Sequence, residues 1–236
     1  MVRSLLIWGM LAGICAGLLA ASFAWIFGEP QVDLAIAFEK HLRAVSGQAP
    51  EPELLSRAVQ RTVGLVTGII VFGCALGGIF ALVFAYAYGR IGSLSPRATA
   101  AVLAAAGFVT LILMPQFKYP ANPPAIGEPE TIELRTALYF IMMAVSVISA
   151  IMALSTGRQL ARRFGIWNGA LAGSAAYMAA MVAAMSALPT VNNDLPSGFP
   201  ATTLWSYRLA SIGTEAVLWG TIGVVFGALV NRKRRF

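Results

Sequence analysis

Charged residues are scarce in this sequence. Only 11% of its 236 residues are charged, against about 25% in soluble domains, whereas 58% are hydrophobic. A chain with so few charges cannot cover its apolar surface as one water-facing domain. The composition therefore predicts a protein that is largely covered by lipid.

Histidine and cysteine are also rare, and the common catalytic motifs are missing. The chain has one histidine and two cysteines, and Cys15 and Cys74 both lie inside apolar runs. No CxxC or Cys/His metal spacing occurs, nor any GxSxG, HExxH or P-loop motif. We therefore expect a protein that is not an enzyme and that carries no resident cofactor.

The apolar residues form six stretches long enough to cross a bilayer, which takes about 20 residues each. These predicted spans cover residues 4–27, 63–88, 98–115, 134–157, 166–188 and 206–230. They predict an all-α, polytopic membrane helix bundle that forms a single transmembrane domain over residues 1–236.

Charge is distributed unequally between the two sets of loops. With the N-terminus inside, the inner segments hold ten basic residues and no acidic ones: Arg3, Arg90, Arg97, Arg158, Arg162, Arg163, Arg232, Lys233, Arg234 and Arg235. The outer side holds the other seven basic residues and all ten acidic ones. The positive-inside rule then predicts that both termini lie in the cytoplasm. The net charge of +7 thus indicates topology, and we expect no nucleic-acid partner.

An alternative for the first span is a cleaved signal peptide. Arg3 supplies a positive start, and Ser22 and Ala24 offer a small-x-small site. Cleavage would leave five spans and an external N-terminus. An apparent internal repeat, which includes the first span, argues against cleavage.

The repeat relates spans of the same predicted direction. Gly9 and Gly13 align with Gly169 and Gly173 at an offset of 160, and spans two and six align at an offset of 147. A looser third copy suggests three helical hairpins, a plan that transporters use, although Ala/Gly-rich helices also resemble each other by chance. Small residues four apart predict close helix packing, and they recur at Gly9/Gly13/Gly17, Gly64/Gly68, Gly73/Gly77, Gly169/Gly173 and Gly223/Gly227.

Two external segments stand out. Residues 28–62 are acidic, and Leu34, Phe38, Leu42 and Val45 recur at the spacing of a short amphipathic helix. Residues 116–133 are rich in proline, which predicts a stiff, non-helical loop. This loop either caps a pore mouth or serves as a rigid connector, and the sequence does not distinguish these roles.

The proline-rich stretch also carries a family resemblance. The KYPANPP loop (118–124), the following GEPETIELRTAL (127–138) and the RQLARR turn (158–163) resemble the CbtA family, as do the Glu-containing last span and the basic tail. The resemblance implies a cobalt transporter subunit of the bacterial cytoplasmic (inner) membrane that is linked to cobalamin supply. It also implies a small His-bearing CbtB partner. It supplies no functional residues.

Glu215 is the strongest candidate for a functional residue. It lies inside the last span, seven positions after Arg208, and shares a helical face with Arg208 and Ser211. An intramembrane carboxylate is costly and indicates an ion pathway or proton relay, although a structural tie to an arginine is the alternative. Spans two, four and six run from the outside to the inside, and each begins near an arginine. These arginines are expected to pair with carboxylates: Arg135 with Glu133, Arg208 with Glu215, and Arg61 with Glu29 or Glu53.

Further candidates lie on the external side. In the proline-rich loop and the helix start that follows it, these are Lys118, Tyr119, Asn122, Glu133 and Arg135. Oxygen and imidazole ligands suit a divalent ion, so Glu215, Asp194 and His41 are the predicted metal ligands. The methionines of span five, Met178, Met181 and Met185, are expected to fill gaps in the packing.

Together these features predict a membrane permease, or a permease subunit, for a small divalent cation. Cobalt is the substrate that the family resemblance implies. A scaffold subunit that only anchors a metal-binding partner and a membrane-embedded redox component remain alternatives. Association of several copies of the chain also stays open.

Overall fold

The computed structural model describes residues 2–47, 55–124, 126–127, 129–191 and 195–233. Within these ranges all regular structure is helical, and six helical segments are long and apolar enough to cross a membrane. They are Val2–Val45, Arg57–Ala87, Pro96–Lys118, Ile132–Phe164, Ile166–Ala187 and Ala201–Arg232. The predicted all-α architecture with six spans is confirmed, although several helices are longer than expected.

The first segment continues through Pro30, which lies three residues beyond the predicted end of the first span. Helix α1 (Val2–Phe23) passes through a π-turn (Ala24–Gly28) directly into α2 (Glu29–Val45). Pro30 lies in the first turn of α2, and the Glu29 N–H donates to the carbonyl of Ala24 in an i→i+5 bond. A proline ring clashes with the carbonyl four residues earlier, and the wider turn relieves that clash. The predicted amphipathic helix therefore exists, but as an extension of α1.

The third segment uses the same arrangement. Helix α5 (Pro96–Gly107) leads through a π-turn (Phe108–Leu113) into α6 (Met114–Lys118), with Pro115 in the first turn of α6. The helix therefore does not end at Pro115 as predicted. The first residues of the expected non-helical loop, 116–118, are helical, and Pro129–Thr131 forms a 3₁₀ turn.

The remaining helices follow in order. The second segment consists of α3 (Arg57–Val59), a π-turn (Gln60–Gly64) and α4 (Leu65–Ala87), and it begins at Ser56, whose side chain accepts the Val59 N–H. Helices α7 (Ile132–Phe164) and α8 (Ile166–Ala187) are separated only by Gly165, whose φ of +86° favours glycine. The last helix is α9 (Ala201–Lys233).

The described residues pack as two compact units. The first lies within 1–108, 122–125 and 197–236, and the second within 109–121 and 126–196. A single transmembrane domain over the whole chain stays a prediction.

In the first unit, glycines bring α1 and α4 together in an antiparallel crossing. A Cβ atom on Gly13 would lie 2.0 Å from the carbonyl oxygen of Gly73, and one on Gly9 would lie 2.2 Å from that of Gly77. The two backbones therefore touch, which only glycine permits. Gly68, in contrast, has no neighbouring atom within 4 Å of its Cβ position.

Helix α9 completes the first unit by packing along both α1 and α5. Gly213 lies against the ring of Phe23, while Gly223 and Gly227 lie against Ala104 and Ala100. The small residues at 223 and 227 thus serve the close packing that their spacing predicts.

The second unit repeats the crossing with α7 and α8. Gly169 meets Gly157, and Gly173 meets the carbonyl of Ala153. A core of Met114, Tyr119, Leu138, Met142 and Met181 lies in the same unit, with Met185 packed against it. Met178, by contrast, is 50% exposed, so the expected methionine stripe divides between core and surface.

Candidate ion-binding site

One face of α9 carries a continuous row of residues at helical spacing. Its members are Leu204, Arg208, Ser211, Glu215, Leu218, Trp219, Ile222 and Phe226, and all are buried or half-buried. The row is mostly polar before position 216 and entirely apolar after it. The predicted grouping of Arg208, Ser211 and Glu215 is therefore part of a longer row.

Glu215 lies near the middle of α9 rather than close to its beginning. The helix starts at Ala201, five residues earlier than the predicted span. Glu215 therefore lies about 21 Å along the axis from the helix start, at ~1.5 Å per residue. Its Oε2 atom is buried and has no hydrogen-bond partner among the described residues. An unsatisfied buried acceptor costs about 1–3 kcal/mol, so a ligand that fills this position would gain binding energy there.

Trp219 follows one turn later with a second unsatisfied group. The side chain is 6% exposed, and within the described part of the chain its buried Nε1 finds no acceptor. The Cε3, Cζ3 and Cη2 edge of the ring lies against Gly107, so the N–H edge points away from α5. The sequence analysis did not single out Trp219, although its i+4 spacing from Glu215 was a signal that could have found it.

Aromatic side chains fill the C-terminal half of this face. Phe80 packs edge-on against Trp219 and Phe226, with ring centroids 6.5 and 5.4 Å apart. Phe84 packs against Phe226 at 5.0 Å. The polar half of the row therefore meets a packed aromatic cluster, Phe80, Phe84, Trp219 and Phe226, immediately beyond Glu215.

Arg208 contacts the proline-rich loop. Its Nη2 donates to Oδ1 of Asn122 over 2.9 Å. The structure thus brings together two predicted site residues, one from the ion pathway and one from the external loop. The predicted pairing of Arg208 with Glu215 does not reach the Oε2 atom, which accepts no hydrogen bond from any described residue.

The acidic segment, residues 28–62, holds an ion-pair network that differs from the predicted one. Arg57 contacts both Glu29 and Asp33, the latter at 3.0 Å, and Arg61 contacts Asp33 at 3.4 Å. Arg61 was expected to pair with Glu29 or Glu53, but Arg57 takes Glu29, and Glu53 lies outside the described residues. Arg57 was not among the predicted residues, although it lies four residues before Arg61, and Glu29 and Asp33 share the same spacing on α2.

The beginning of the proline-rich loop is anchored within the second unit. The hydroxyl of Tyr119 donates to the carbonyl of Pro189 over 2.7 Å, and Lys118 Nζ donates to Thr190 Oγ1 over 3.2 Å. Burial raises the pKa of Tyr119, which favours the protonated, donating form.

The helix start after the loop is also anchored. The Arg135 guanidinium lies across Gly127, where a Cβ atom would be 2.3 Å from Nη1. Glu133 is exposed. Whether the loop caps a pore or connects two helices stays open.

The predicted metal ligands are not assembled within the described residues. His41 is exposed on α2, Glu215 is half-buried, and Asp194 lies outside the described ranges. No group of three His, Cys, Asp or Glu side chains forms a metal cluster in the part of the chain that the structure covers. A shared site for these three residues stays a prediction.

Comparison with known proteins finds a matching family for the chain. The family described as probable cobalt transporter subunit (CbtA) matches the chain over residues 2–231. No curated protein and no solved structure shows significant similarity to the chain.

Proposed function

Because the chain belongs to the CbtA family of probable cobalt transporter subunits, we propose that it is the permease subunit that carries the ion across the membrane. The substrate of this proposal is Co²⁺, taken up for cobalamin synthesis. The site of passage is the polar half of the α9 face, with Glu215 as the residue that binds the cation.

The observation that carries this proposal is the buried, unpartnered Oε2 atom of Glu215 in the middle of α9. A carboxylate at that depth is costly to bury, and such residues typically bind an ion or relay a proton. Arg208 and Ser211 precede it on the same face. The aromatic cluster follows it and would close the path on the far side, so the conformation described here suits loading from the N-terminal end of α9.

The membrane potential would drive the ion inward in this scheme. Each charge gains about 2.3 kcal/mol per 100 mV, so a doubly charged ion gains about 4.6 kcal/mol. Entry from the external side depends on the predicted topology, with acidic residues outside and basic residues inside.

Uptake of labelled Co²⁺ into liposomes that contain the full chain tests the proposal. We expect Glu215→Gln to abolish uptake, because an amide keeps the size of the side chain but loses its charge. Glu215→Asp should retain part of the activity. Glu130→Gln, which changes an exposed carboxylate, is the matched control and should leave uptake unchanged.

Three outcomes would contradict the proposal. Wild-type uptake by Glu215→Gln would make the carboxylate structural. Uptake that occurs only when a small His-bearing CbtB-like subunit is added, and that is unchanged in Glu215→Gln, would make this chain a scaffold. Haem or quinone that copurifies with the chain, in the absence of uptake, would indicate a redox component.

A further inference from the structure

Glu215 and Trp219 form a pair of complementary unsatisfied groups. One offers a buried acceptor and the other a buried donor, and both lack partners among the residues described. They lie four residues apart on one face of α9, so their backbones are separated by about 6 Å along the axis. A ligand that bridges the two side chains would therefore satisfy both groups.

The indole N–H restricts what that ligand can be. It is a donor only and cannot coordinate a metal ion, and its hydrogen would repel a bare cation. A water molecule, in contrast, can accept from Trp219 and donate to Glu215. Water-mediated hydrogen bonds are nearly as favourable as direct ones.

We infer that the cation binds at Glu215 together with water from its hydration shell, and that Trp219 positions this water. This inference rests on the proposed function and specifies the form in which the substrate is bound. The Glu215 carboxylate accepts hydrogen bonds from ion-bound water, and the Trp219 N–H donates to a water oxygen. Divalent ions that give up water reluctantly are commonly held in this way, by one or two carboxylates.

The packing of Trp219 supports a fixed direction for the N–H. Gly107 receives one edge of the ring without any side chain between them, and Phe80 packs on it edge-on. The opposite edge, which carries Nε1, is thereby held in one orientation. A Trp→Phe substitution would keep most of this packing and remove the donor.

An exchange-inert mimic of a hydrated ion tests the first half of the inference. Hexaamminecobalt(III) carries a permanent shell of N–H donors and cannot lose it. We expect it to compete with Co²⁺ for uptake by the wild-type chain in liposomes. Calorimetry should show that it binds to wild-type protein and not to Glu215→Gln.

The same probe separates the roles of the two residues. Its ammine ligands can donate to Glu215 but have no lone pair left to accept from Trp219. Trp219→Phe should therefore raise the KM for Co²⁺ about 2- to 10-fold, the effect of one hydrogen bond, without changing inhibition by hexaamminecobalt(III). Trp205→Phe is the matched control on the same helix, since Trp205 is 63% exposed, and it should change neither value.

The outcomes distinguish this inference from the proposed function. If Co²⁺ uptake requires Glu215 but hexaamminecobalt(III) does not compete, the ion binds without its water and the inference is wrong, while the proposed function stands. If Trp219→Phe weakens the binding of Co²⁺ and of hexaamminecobalt(III) equally, Trp219 contributes only to packing. Should that variant not fold, as judged by size-exclusion chromatography, competition in the wild-type protein decides the question.

Discussion

Arg57 shows how much one side chain can organise in this molecule. Its guanidinium contacts Glu29, which is only 8% exposed, and also Asp33, one turn further along α2. Glu29 would otherwise be a buried charge without compensation, which is among the costliest features a fold can hold. The charge network therefore fixes α2 against the start of the second segment.

Arg57→Ala should consequently lower stability by about 1–3 kcal/mol, less than for a fully buried pair because the guanidinium is partly exposed. The loss would appear as a lower unfolding temperature in detergent. Arg43→Ala provides the comparison, since Arg43 pairs with Glu39 at i,i+4 on the same helix. Such a pair contributes about 0.3–0.5 kcal/mol, so the two variants should differ clearly, and equal effects would contradict the role given to Arg57.

Single residues also mark the limit of prediction from sequence. Glu215 could be identified because a carboxylate in an apolar run is conspicuous in any sequence. For Trp219, the i+4 spacing shows only that it shares a helical face with Glu215, because the burial of its ring depends on Gly107 from another helix. Likewise, nothing in the sequence states that Arg57 rather than Arg61 reaches Glu29.

At the level of helices, the two glycine crossings are built in the same way: residues four apart on one helix meet residues four apart on its antiparallel partner. Gly9 and Gly13 meet Gly77 and Gly73, while Gly169 and Gly173 meet Gly157 and Ala153. Spans one and five thus place equivalent glycines in equivalent antiparallel contacts, as their sequence alignment suggests. The partner differs, however, because span one packs on the span that follows it and span five on the span that precedes it. The repeat of three hairpins stays a prediction, since spacing identifies a packing face and not the helix that covers it.

A methyl group at the crossing should be far more disruptive than one elsewhere. Gly13→Ala places its Cβ 2.0 Å from a backbone oxygen, which cannot move aside as a side chain can. We expect a loss of about 1–3 kcal/mol, as for other overpacked cores. Gly68→Ala meets no atom within 4 Å and should be neutral or stabilising, because alanine is the better helix former.

Thermal unfolding of both variants in the same detergent measures this difference. A Gly13→Ala protein as stable as Gly68→Ala would show that α1 and α4 do not touch at Gly13. Uptake assays on the same samples would reveal whether close packing also matters for transport.

Across the whole molecule, the number of membrane-spanning segments is the feature that was predicted correctly. The sequence predicted six spans, and the structure has six helical segments suited to that role. What it did not predict was the length of the first and third segments, which continue as helix past Pro30 and Pro115. Proline removes one hydrogen bond, but a wider turn before it lets the helix continue.

The predicted topology can be tested on intact cells. In a background where Cys15 and Cys74 are replaced by Ala, a membrane-impermeant maleimide should label Glu130→Cys and leave Ser93→Cys unlabelled until the cells are broken. Both positions are exposed and lie outside the membrane-spanning segments, so access to the reagent depends on the side of the membrane. Labelling of both in intact cells would overturn the orientation on which inward transport depends.

The π-turn at Ala24–Gly28 determines the direction in which the side chains of α2 point about the helix axis. One extra residue in a turn rotates the continuing helix by about 100° relative to an uninterrupted α-helix. Glu29 and Asp33 point at Arg57 only because of that rotation. Removing one residue from this turn would leave the composition and hydropathy of the segment almost unchanged. It would nevertheless swing both carboxylates about the helix axis and away from their partner.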